Sequence, residues 1–118
     1  MNRTAPVFAL VALVACSDEG IAGFLLMTRW HSHHLLDQMA VLPALTGQGI
    51  GQRLYEALFD VLKPEHMIAE VMHHPVLNQR SRDFFAKRNG WALVREVPEG
   101  ELLWGLYEWR RPGRSTPR

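Results

Sequence analysis

The chain has 118 residues, enough for one modest hydrophobic core but not for two. Its composition, 47% hydrophobic and 21% charged, is that of a globular protein and excludes a disordered one. A net charge of +1 gives no reason to expect nucleic acid or a membrane as partner, and the single cysteine, Cys16, excludes an internal disulfide.

The first apolar run, residues 6–16, imitates a lipoprotein signal down to Leu13-Val-Ala-Cys16. The residues after Cys16 argue otherwise. Ser17-Asp-Glu-Gly20 is a turn and a second apolar run begins at Ile21, so the two runs read as a β-hairpin and the signal likeness as coincidence. The protein is then expected in the cytoplasm. Both strands, at 6–16 and 21–29, are nearly continuous in apolar residues and are expected to be buried on two faces. His31–His34 makes the next turn, and Leu35–Leu42 a third strand stopped by Pro43.

From Gly49 the period changes. Ile50, Leu54, Ala57, Leu58, Val61 and Leu62 recur at three and four, the stripe of a helix lying on a sheet, which Lys63-Pro64 ends. Met67–Met72 is a short buried strand, and a second helix runs from Asn78 to Arg88, with Asn89-Gly90 as a left-handed stop. Trp91–Val97 and Glu101–Trp109 form a last hairpin across Pro98-Glu-Gly100. The class is therefore α+β, a mixed, mostly antiparallel sheet of about six strands with two main helices. The crossover through 49–63 makes the strands at 36–42 and 67–72 parallel. One domain is expected over residues 1–109, with 110–118 a basic, disordered tail.

The centre of interest is Met39–Leu58, where a strand meets Pro43, then Gly47-x-Gly49-x-Gly51, then a helix. Such a loop aims unpaired first-turn amides outward, and the helix dipole favours an anion there. It lacks the Gly-Lys-Ser/Thr of a Walker loop. Its third glycine is one residue early for a dinucleotide fingerprint, although Glu70 lies at the distance of that fingerprint's acid. Read alone, the glycines serve equally well as a tight turn.

Val41-x-Pro43-x-x-Thr46-Gly-Gln-Gly-Ile-Gly51 resembles motif A of the GNAT superfamily of N-acetyltransferases. The hairpin Leu13–Phe24 before it, then Glu70-Val71, and Asn78-x-x-Ser81-x-x-Phe-Phe-x-Lys-x-x-Gly90-Trp91 after it, are similar to the neighbouring elements and to motif B. The resemblance spans residues 6–109. It implies a GNAT-like sheet splayed between the strands at 36–42 and 67–72, with acetyl-CoA as cosubstrate. Its pyrophosphate would lie on the loop amides of Gly47, Gln48, Gly49, Ile50, Gly51 and Gln52, beside Thr46. The pantetheine arm would pair with Met39, Ala40 and Val41, and Asn78, Ser81 and Phe85 would border it from the other side.

The sequence departs from the family at three places. Thr46 replaces the usual Arg or Gln, and Phe85 stands where many members carry the tyrosine that protonates the leaving thiolate, a role water or Tyr107 could fill. The usual first strand and two helices have no counterpart before residue 6, so either a homodimer partner completes the acceptor pocket, or the acceptor sits in an open groove, or catalysis has been lost. Glu70 and Asp37 are the candidate bases for a primary amine attacking the thioester, and His73 and His74 follow the same strand as Glu70. The histidines fall at separated places without cysteine partners or His-x-x-x-His spacing, so no metal is expected. The four tryptophans read as core and hairpin residues. The acceptor is a small-molecule or peptide amine. A non-catalytic acyl-CoA-binding or regulatory module and a structural subunit are the alternatives.

Overall fold

The computed structural model describes residues 9–30 and 33–113. The chain divides into two compact units, Met1–Pro64 and Glu65–Arg118.

In the first unit, β1 (Ala9–Ser17), β2 (Gly20–Trp30) and β3 (His33–Val41) form an antiparallel meander with β2 in the middle. The expected hairpin forms at its start. Ser17 pairs with Gly20 across Asp18-Glu19, and the Ser17 hydroxyl accepts from the Glu19 amide. Residues 6–8 of the expected first strand, and His31 and Ser32 of the expected turn, lie outside the described residues. Double-sided burial holds only for β2, where Leu25 and Met27 are fully buried and Thr28 nearly so. Along β1 the residues alternate between half-buried and exposed, and Val14 is 52% exposed. The difference goes with position, because β1 is the edge strand of the meander and, among the described residues, pairs with β2 alone.

The helix α1 (Ile50–Leu62) packs on β1, β2 and β3. Its buried residues are Leu54, Tyr55 and Leu58; of the rest of the expected stripe, Ile50, Ala57 and Leu62 are half-buried, and Val61 in the last turn is 63% exposed. Tyr55, which the expected stripe did not include, packs on Phe59 with ring centres 4.6 Å apart.

In the second unit, β6 (Leu102–Arg110) lies between β4 (His66–His74) and β5 (Ala92–Glu99), and both pairings are antiparallel. Met67, Ile68, Ala69 and Val71 make β4 the most buried strand of this unit. The last hairpin turns on Gly100-Glu101, with Glu99 opposite Leu102 and Gly100 at φ +60. Pro98, expected in that turn, is part of β5. Arg110 belongs to β6, and Arg111 bonds Glu65 by both backbone and guanidinium, so ordered pairing continues beyond residue 109.

The second helix is built in two pieces. A single α-turn, α2 (Gln79–Arg82), runs on into a π-helical segment at Asp83–Arg88. The wider turn sets Phe85 against Trp91, with ring centres 4.7 Å apart, and Phe84 edge-on at 5.4 Å. Gly90, at φ +77, then ends the segment as expected. Six strands and two helices thus give the α+β, mostly antiparallel architecture read from the sequence.

Candidate functional site

The glycine loop is made by three local devices. Leu42 extends β3 by bonding the Ala22 carbonyl at 2.8 Å, and Pro43–Leu45 turns once as a 3-10 helix. The Thr46 hydroxyl then donates to the Leu42 carbonyl at 3.3 Å. This bond gives Thr46 a role that its reading as a mere loss of Arg or Gln did not supply: it fastens the loop to the strand end. Gly47 and Gly49 follow at φ +87 and +80, values that L side chains rarely adopt.

Gly49 is the N-cap of α1, which has no side-chain cap and no acidic residue in its first turn. The first intrahelical bond runs from the Arg53 amide to the Gly49 carbonyl at 3.0 Å, so the preceding amides point out of the helix end. An ideal Cβ at Gly47 or Gly49 would have no neighbour within 4 Å, and one at Gly51 would touch Val41 and Met39 at ordinary contact distance. The donor set, the open space above it and the absence of carboxylates from the first turn fit a phosphate group. Arg53, exposed on the first turn, is a cation that the glycine spacing did not single out.

Met39, Ala40 and Val41 occupy the last three places of β3, with Ala40 exposed and the other two half-buried. Asp37 is half-buried on the same strand. Gln48 is exposed, Ile50 is half-buried, and Gln52 donates through Nε2 to Glu56 at 3.2 Å. In the first unit the structure therefore brings the strand end and the loop together as one continuous feature.

In the second unit, Asn78 caps α2: its side-chain oxygen accepts from the Ser81 amide at 3.2 Å. Phe85 is 6% exposed and sits in the aromatic group with Phe84 and Trp91. Glu70 is half-buried on β4, opposite Leu106. His73 is joined to Glu96 and Tyr107, each at 2.8 Å, whereas His74 is exposed. Neither Glu96 nor this grouping was visible in the sequence, because the three residues come from three strands. Among the described residues no three or more His, Cys, Asp or Glu side chains form a metal-binding group, and no helix is long and apolar enough to cross a membrane.

A family model described as the Acetyltransferase (GNAT) family matches residues 3–91, and the chain belongs to that family. Solved structures agree on the fold. Nourseothricin acetyltransferase matches with a TM-score of 0.71 at 19% identity, over 86% of this chain and 65% of that one. An acetyltransferase from Bacillus cereus ATCC 14579 gives 0.68 at 21% identity, over 86% and 72%. An aminoglycoside 6'-N-acetyltransferase complexed with coenzyme A gives 0.70 at 13% identity, over 89% and 74%. The present chain thus spans less than two thirds of the nourseothricin enzyme's length. No curated protein sequence matches significantly.

Proposed function

We propose that this chain binds acetyl-CoA and transfers its acetyl group to a primary amine, supplied by a small molecule or a peptide, by direct attack on the thioester. The observation that carries the reading is the uncapped, carboxylate-free N-terminus of α1 behind two left-handed glycines, within a chain of the GNAT family. Acetyl-CoA would bring an acetyl group already activated as a thioester. The amides of Gly47–Gln52 would hold its pyrophosphate, with Thr46 fixing the loop. Met39, Ala40 and Val41 would pair with the pantetheine arm as an added strand does. Asn78, Ser81 and Phe85 are the residues of the second unit that the family resemblance assigns to the arm.

The attacking amine must lose a proton, and Glu70 and Asp37 are the carboxylates that the sequence offers for it. A thiol has a pKa of about 8.5, so the thiolate leaves tolerably near neutral pH even though Phe85 carries no hydroxyl. The same phenylalanine supports a second reading, a module that binds acyl-CoA without turning it over, because its ring is committed to packing on Trp91.

Calorimetry with acetyl-CoA, followed by an amine panel read out as thiol release, separates these readings. Binding with release supports the enzyme, binding without release supports the module, and no binding at millimolar ligand sinks both. The loop is tested by a matched pair. Gly49→Asn and Gly49→Asp share a tolerance for the left-handed region and differ in charge. The aspartate variant is expected to bind acetyl-CoA at least about tenfold more weakly than the asparagine variant, about 1.4 kcal/mol. Equal affinities would remove the loop as the phosphate site.

A further inference from the structure

Two strands with one free side treat that side in opposite ways. Among the described residues β1 pairs with β2 alone, and β5 in the second unit pairs with β6 alone. A free strand edge presents unpaired amides and carbonyls, and proteins blunt such edges with charges, proline or bulges. β5 follows that rule, with Arg95, Glu96 and Pro98 along it. β1 does not. Its residues, Ala9–Ser17, include no proline, no acid, no base and no histidine. Its register against β2 shifts only towards the two ends, which leaves Val11–Ala15 regular. Every other described strand carries at least one charged residue.

The side chains of β1 are left as open as its edge. Val11 and Leu13 stand opposite Met27 and Leu25, both 0% exposed. Leu25 is in turn opposite Met39, which a Cβ at Gly51 would touch, so this is the face that α1 covers. Even so, Val11, Leu13 and Ala15 are only half-buried. On the other face Ala12, Val14 and Cys16 are exposed, Val14 to 52%. An uncharged strand with apolar side chains uncovered on both faces is a surface that a further strand would complete.

The chemistry of the edge selects that strand. A charged strand laid along β1 would set its ionised groups against Val, Leu and Ala, losing water without gaining a counter-charge. The occupant must be as free of charge as β1, and β1 is the one described strand of this chain that qualifies. Antiparallel pairing of two identical strands is also closed by a two-fold axis, so it stops at two copies. We propose that β1 is the interface of a homodimer, in which the β1 strands of two copies pair antiparallel and join their meanders edge to edge. The inference goes beyond acetyl transfer and does not rest on it. A contact one strand long is small, so the dimer is a weak one, with a dissociation constant on the order of micromolar.

Val14 and Val94 make a matched pair for the test, 52% and 51% exposed on the two contrasted strands. Sedimentation equilibrium of the full chain, from about 1 to 500 µM, should pass from the 13.5 kDa monomer to twice that mass. Val14→Lys is expected to weaken association at least about tenfold, since each copy then brings a like charge to the same face of the joined strands. Val94→Lys should associate like the parent. Circular dichroism checks that both variants fold. Hydrogen exchange supplies a reading that needs no variant: amides of Val11–Ala15 should gain protection as the parent is concentrated, while those of β5 should not. A parent that stays monomeric, with β1 exchange unchanged, would overturn the proposal and leave the edge to a strand of another protein. A dimer that folded Val14→Lys leaves intact, or that Val94→Lys dissociates, would overturn it as well. Should Val14→Lys fail to fold, the exchange result decides.

Discussion

Gly51 separates two demands on one residue. It lies in the first turn of α1 with ordinary helical φ, and the space at its Cβ is bounded by Val41 and Met39 at 3.9 and 4.0 Å. Alanine there is sterically admissible and should raise stability by about 0.5–1 kcal/mol, as for other helix-interior glycines. If the backbone is bare so that a pyrophosphate can approach it, Gly51→Ala will melt higher and bind acetyl-CoA more weakly. Thermal melting and calorimetry on the one variant read both effects. Glu108 makes a different residue-scale case. Burial would raise its carboxyl, but the 2.8 Å bond to His66 and the charge of Arg110 outweigh it and hold the group below its ordinary 4.5. A depressed carboxylate stabilises the fold above its unfolded value, and that contribution is lost as pH falls through the folded one. Glu108→Gln should therefore melt below the parent at neutral pH, by the equivalent of about 0.2–1 kcal/mol, and the gap should close as the pH falls below 4.5. Melting temperatures taken across that range check the sign.

Among the elements, the two-piece second helix shows what pattern reading captures and what it misses. Its start and stop were legible, since Asn78 is a good N-cap and Asn89-Gly90 a good terminator. The π-helical widening at Asp83–Arg88 was not, because the apolar spacing of so short a segment does not separate a π turn from an α turn. Asn78→Ala should cost about 1 kcal/mol through the lost bond to the Ser81 amide, detectable by urea unfolding. The strands divide in the same way. Apolar runs located all six, but burial along β1 was overestimated because a run of Val, Leu and Ala cannot say whether a second layer covers it. Thr46, read in the sequence only as a replacement for the usual Arg or Gln, also fastens the loop to the Leu42 carbonyl. The glycine loop was legible because its three parts are contiguous. The Glu96–His73–Tyr107 group was not, because its members are separated by 23 and 34 residues and meet only through a bulge.

For the molecule as a whole, ligand linkage gives the broadest test. Anything that binds the folded chain alone raises its stability, by about 2.7 kcal/mol at a hundred times Kd. Acetyl-CoA should therefore raise the melting temperature in proportion to the logarithm of its concentration, and Gly51→Ala should flatten that dependence. A thermal shift series with acetyl-CoA at increasing concentration is the measurement. Cys16 carries one further consequence. It is the sole cysteine of the chain, it is exposed, and it sits near the end of β1 in the first unit. Three of the four tryptophans, Trp91, Trp104 and Trp109, fall in the second. A thiol-reactive dye on the native protein would thus report on one unit while indole emission reports mainly on the other, with no mutation introduced. Superimposable denaturant curves from the two signals would make the chain one cooperative folding body, and staggered curves would make it two.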